Sequence, residues 1–135
     1  EIFPSKLLEI EWCHLDQDGQ TCDRCAATGQ AARQARDDLA GELSPRGWTV
    51  RLKETPLSAR EIAGSNAIFI NGVPLEKLLD GTRVAENCCA SCGDLLGAPV
   101  QCRAIEQNGR TYEVIPAAMI RQAADNYLKR GEKGE

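Results

Sequence analysis

Leu7 to Leu43 reads LLEIEWCHLDQDGQTCDRCAATGQAARQARDDLAGEL, and this stretch decides the fold. Its opening, Leu7–Leu15, alternates apolar and polar side chains, the pattern of a strand whose successive residues point to opposite faces. Asp16–Gln20, with Asp18-Gly19 inside it, reads as a loop. From Asp23 to Leu43 no proline interrupts a run rich in Ala, Arg, Gln and Leu, which predicts a long helix. Thr21 is the expected N-cap, its hydroxyl accepting a bond from an early N–H. Cys22 and Cys25 therefore fall where a strand runs into a helix.

Working outward, Ser44-Pro45-Arg46-Gly47 stops the helix, and Trp48–Glu54 reads as a second strand by alternation. A strand, a long helix and a second strand imply a right-handed parallel crossover. Leu57 opens a short helical turn through Ile62, and Ala67–Ile70 is an apolar run suited to a buried central strand. Asn71-Gly72 marks a tight turn, Pro74–Leu79 one or two helical turns, and Asp80-Gly81 their end. Residues 82–99 read as an irregular, cysteine-bearing loop insertion. Val100–Glu106 and Arg110–Ile115 flank Asn108-Gly109, a hairpin signal, and Pro116 starts a last helix over Ala117–Lys129. The tail, 130–135, is charged and expected to fray. The expectation is one α/β domain over 1–135, a central mixed sheet flanked by helices.

Composition removes several functions. The chain has 135 residues, 42% of them hydrophobic but only 4% aromatic, so a modest core must rest on Leu, Ile, Val and Ala. A net charge of −4 provides no basic stripe for nucleic acid. No apolar run approaches the ~18 residues of a membrane helix, and no glycine-rich phosphate loop occurs. The cysteine count of 7 is high and odd, so full pairing within the chain is impossible. A chain that can build a core needs no disulfide staples, which favours reduced thiols in the cytoplasm.

Those thiols carry the chemistry. Cys22 and Cys25, three apart at a helix start, can share one face. Unpaired N–H groups at the terminus favour a thiolate, while Arg24 and Asp23 nearly cancel. Cys22 is accordingly expected to be the more exposed nucleophile, with a pKa below the usual ~8.5, and Cys25 the resolving partner. Cys88, Cys89 and Cys92 form a second cluster with its own C-x-x-C. Three crowded thiols suit a soft ion. Alternatively Cys22, Cys25, Cys89 and Cys92 supply the four thiolates of a tetrahedral zinc site. Cys13 and Cys102 fall in strands and read as core. His14 alternates away from Cys13 and reads as structural rather than catalytic.

The chain resembles the thioredoxin superfamily. The resemblance rests on Cys22-Asp23-Arg24-Cys25 after the first strand, on Ile70-Asn71-Gly72, and on Arg110-Thr111-Tyr112-Glu113 leading to Pro116 and the last helix. More narrowly, it is similar to the uncharacterised prokaryotic domain-of-unknown-function family numbered twenty-seven-oh-three. That likeness is carried by the Glu11-Trp12…Asp16 opening, the Thr21-Cys22…Cys25 pair, Asn71-Gly72-Val73-Pro74-Leu75 and the cysteine cluster Cys88, Cys89 and Cys92 before Asp94-Leu95-Leu96-Gly97. Thioredoxin-like enzymes carry a cis-proline before the central strand, facing the cysteine pair. Ser65-Asn66 stands there instead, and since a non-proline cis bond costs about 2.5–4 kcal/mol, trans geometry is expected. Thr21 stands where thioredoxins present a tryptophan before the pair.

The location of Cys22 and Cys25 at the head of the long helix suggests a thiol–disulfide oxidoreductase acting on a protein or small-molecule disulfide or thiol partner, with no cofactor required; the narrower family resemblance supplies no activity. Cys89 and Cys92 would serve as a relay. Two other readings stay open: a binder of zinc, copper, mercury or arsenite, and a non-catalytic thioredoxin-like interaction domain.

Overall fold

The computed structural model describes residues 6–88, 90–97 and 101–133. The chain runs β1 (Leu7–Leu15), α1 (Asp23–Leu43), β2 (Thr49–Leu57), β3 (Ala67–Ile70), β4 (Val73–Pro74), β5 (Thr82–Cys88), α2 (Ala90–Leu96), β6 (Gln101–Gln107), β7 (Arg110–Tyr112) and α3 (Ala117–Lys133). Short 3-10 turns cover Ser44–Arg46, Ala59–Gly64 and Leu75–Lys77. The class is α/β with a mixed sheet.

The main sheet has the order β2-β1-β3-β4. β1 pairs in parallel with β2, from Leu7 opposite Thr49 to Leu15 opposite Leu57. Parallel neighbours need a crossover, and α1 supplies it. β1 pairs antiparallel with β3, and β3 with β4. As the central strand, β1 is buried on both faces along almost its whole length. Leu8, Ile10 and Trp12 face a core completed by Ala32, Ala35 and Leu39 of α1, Ile68 and Ile70 of β3, and Ile120, Ala123 and Ala124 of α3. Each such aliphatic side chain contributes roughly 1.5–3 kcal/mol on burial. The buried residues of α1 recur three or four apart as Cys25, Thr28, Gly29, Ala32, Ala35, Leu39 and Leu43, the stripe an amphipathic helix presents to a sheet.

Four expectations are corrected. β2 continues past Glu54 through Pro56 to Leu57; it lies at the sheet edge, where a missing N–H breaks no ladder. The helical turn expected over Pro74–Leu79 is present as a 3-10 turn over Leu75–Lys77, but Pro74 belongs with Val73 to a short strand before it. The cause is Asn71-Gly72, with φ of 47° and 82°, which turns the chain straight back so that Val73 pairs with Ile70. The described part of 82–99 is mostly regular: 82–88 form β5 and 90–96 form α2. Finally, the hairpin around Asn108-Gly109 does not join the mixed sheet. β5, β6 and β7 make a separate antiparallel sheet, with Asn87 opposite Cys102 and Cys88 opposite Gln101. Smaller differences are a 3-10 turn over Ala59–Gly64 rather than 57–62, and a last helix that continues to Lys133.

Candidate functional site

α1 starts on a cysteine. Cys22 itself is the N-cap, extended at φ −78° and ψ 163°, and its carbonyl accepts the first helical bond from Ala26 N at 2.9 Å. The expected cap, Thr21, stands one residue earlier, and its Oγ1 is buried with no hydrogen-bond partner among the described residues. Cys25 follows one turn inward.

The expected exposure of Cys22 is corrected. Cys22 is 3% exposed and Cys25 1%. Both belong to a small apolar cluster with Leu15 from the end of β1 and Cys102 from β6, and Leu95 and Leu96 of α2 pack against it from outside. The segment predicted to be a loose insertion thus covers the first cysteine pair. Cys102 is buried, as expected of a strand residue, but its neighbours are Cys22 and Cys25 rather than the main core. Sequence reasoning missed that association. The available signal was that Cys102 opens a strand directly downstream of Cys88–Cys92, so a hairpin that folds back brings it to the same end of the molecule.

The second cluster reaches the same region by its backbone. Cys88 ends β5 one ladder position from Cys102, and Cys92 lies on α2, which packs on α1. Cys89 lies outside the described residues, as do the side chains of Cys88 and Cys92. Among the described residues no group of three or more Cys, His, Asp or Glu converges on a point that would hold a metal ion.

Polar groups tie the elements together beside the pair. Arg24, buried in the first turn of α1, donates from Nη1 to Arg103 O at 3.3 Å and faces Glu113 at 3.4 Å. Its charge is therefore engaged with β6 and Glu113. Asn66 Nδ2 donates to Arg103 O at 3.1 Å and to Glu113 O at 2.8 Å. Arg103 in turn faces Glu76 at 3.3 Å. These contacts bind the α1 start, the entry to β3 and the second sheet. Every peptide among the described residues is trans, including Ser65–Asn66, and Asn66 takes a left-handed φ of 58°.

Cys13 and His14 point to opposite faces. Cys13 Sγ donates to Glu11 Oε2 at 3.7 Å, and Thr55 Oγ1 donates to the same oxygen at 2.5 Å. Burial, reinforced by the Glu11 carboxylate, pushes the Cys13 thiol up to about 11, so it stays protonated at neutral pH. The His14 ring stacks on Trp12 at 3.9 Å, with Nε2 3.6 Å from Glu54. It takes no part in the sulfur cluster.

The fold defines an α/β protein with a buried cysteine cluster at the start of its crossover helix. The chain belongs to the family described as Domain of unknown function (DUF2703), whose model matches residues 8–124. It is similar to an uncharacterized protein of Archaeoglobus fulgidus, 36% identical over 117 residues that span 84% of this chain and 82% of the relative. No solved structure matches.

Proposed function

We propose that this chain is a thioredoxin-like thiol–disulfide oxidoreductase whose working dithiol is Cys22 and Cys25. The thioredoxin-like reading draws on the strand order β2-β1-β3-β4, with one parallel and two antiparallel pairings. The redox reading is carried by one observation. Cys22 caps the crossover helix with Cys25 one turn behind it, and sequence-remote Cys102 and α2 pack on that pair.

The reaction follows from thiolate chemistry. The Cys22 thiolate attacks one sulfur of a partner disulfide; the partner S–S bond breaks and one partner sulfur leaves as a thiolate. Cys25 then attacks Cys22 Sγ, closes the Cys22–Cys25 disulfide and releases the second partner thiolate. Two electrons pass to the partner, and two protons complete its thiols. The partner is a protein or small-molecule disulfide, and the setting is the cytoplasm, where reductants keep such dithiols recharged. No cofactor is needed. Cys89 and Cys92 would act as the relay pair.

The test is insulin reduction driven by dithiothreitol. Wild-type protein should accelerate it, and C22S should lose at least about tenfold of that acceleration, equivalent to 1.36 kcal/mol or more of transition-state stabilisation. Equal rates from a C22S protein with an unchanged circular-dichroism spectrum would sink the proposal.

The gathering of cysteines also supports a second reading, capture of zinc, copper(I), mercury or arsenite. Cys22, Cys25, Cys89 and Cys92 would supply the four thiolates. Anaerobically purified protein should then melt higher when the ion is added, because a ligand bound only by the folded state stabilises it. The interaction-domain reading draws on the burial of Cys22, and uniformly slow alkylation at every cysteine would favour it.

A further inference from the structure

We propose that Cys102 is a third redox-active thiol, which exchanges with the Cys22–Cys25 disulfide inside the protein. The proposal rests on the thiol-redox reading of Cys22 and Cys25 and extends it to a residue on a different sheet.

Cys102 is 1% exposed, as deeply buried as Cys25. Its cluster companions are the two sulfur-bearing residues of the helix start, walled by Leu15 and by Leu95 and Leu96. A thiol enclosed in this way packs beside two sulfurs with which it can exchange. Its position on β6 is held firmly. The strand pairs along its whole length with β5, and the carbonyl of the next residue, Arg103, takes hydrogen bonds from both Arg24 and Asn66. Arg24 lies between Cys22 and Cys25 in the first turn of α1, so this bond fixes the helix start against β6.

The step conserves the number of electrons. With Cys22 and Cys25 oxidised, the Cys102 sulfur attacks Cys25 Sγ. A Cys25–Cys102 bond forms and the Cys22–Cys25 bond breaks. Cys22 leaves as a thiolate and takes up the proton given up by Cys102. One disulfide replaces another, and no outside oxidant is consumed. The oxidising equivalent has then moved from the helix cap to β6. Cys22 is thereby reset while the oxidation is stored beneath the cover.

The experiment oxidises three full-length proteins with diamide, which accepts the two electrons and two protons of each disulfide formed. Non-reducing peptide mapping then reads the links. Wild type should close Cys22–Cys25, and C22A should close Cys25–Cys102 with a loss of 2 Da. C22S, which preserves side-chain volume, repeats the measurement should C22A fold poorly. The Cys102 assignment is overturned by a wild type that closes Cys22–Cys25 while both variants leave Cys102 reduced. It is equally overturned by variants in which Cys25 links to Cys88, Cys89 or Cys92 instead. A wild type that never closes Cys22–Cys25 defeats the underlying redox reading, a different result from either.

Discussion

Asn66 shows how much one residue can decide. Its φ of 58° lies in the left-handed region, which proline, locked near −65°, cannot enter. The position before β3 is thus closed to the proline that the thioredoxin resemblance would place there. Asn66→Ala removes the donors to Arg103 O and Glu113 O. Arg103 O keeps Arg24 Nη1, so the main loss is at Glu113 O. We predict a destabilisation of about 1–3 kcal/mol in urea unfolding, with Asn66→Gly milder because glycine accepts this backbone freely. Cys13 yields a pH prediction. Its thiol is raised from 9.0 to about 11 in the folded state, so the folded protein holds that proton more tightly. The associated stability is fully present below pH 9.0 and is lost as pH climbs through about 11. The gap in melting temperature between wild type and Cys13→Ala should therefore shift against wild type across that window and stay flat between pH 6 and 8.

Among the elements, α1 carries the clearest case of packing overriding propensity. Gly29 sits mid-helix, where glycine costs about 1 kcal/mol against alanine. The reason is Trp12: a Cβ added at Gly29 would lie 2.5 Å from its Cζ2 and 2.6 Å from its Cη2. The indole is 3% exposed and belongs to the main core, so it cannot swing away. Overpacking of this kind costs typically 1–3 kcal/mol and outweighs the propensity gain. Gly29→Ala should lower the melting temperature and alter tryptophan fluorescence; a rise in stability would contradict the contact. β1 and α1 were legible in full from Leu7–Leu43, because period-two and period-3.6 patterns are local properties. β5 and α2 were not. Thr82–Cys88 has an exposed, charged face and becomes a strand only through pairing with β6.

At the scale of the molecule, two sheets meet at the start of α1, and α2 closes over the junction. Local openings of such a cover set how fast a buried thiol reacts. Leu96→Ser thins the wall around Cys22, Cys25 and Cys102 without touching a sulfur. Iodoacetamide labelling of Cys22 should accelerate by about tenfold, the equivalent of 1.4 kcal/mol less opening free energy. Labelling at the wild-type rate would mean that α2 is not the barrier. Insulin reduction should rise in the same variant if access limits turnover.

Alternation and helix periodicity determined the order of the first half, the crossover helix and the presence of a cysteine pair at its head, since each depends on neighbours a few residues apart. Only tertiary structure decided that the pair is buried, that Asn66 takes a left-handed φ, and that Cys102 joins Cys22 and Cys25. The burial of the pair and its union with Cys102 arise from packing between segments some eighty residues apart (Cys22 and Cys102). Local pattern carries no information about which distant surfaces will exclude water together.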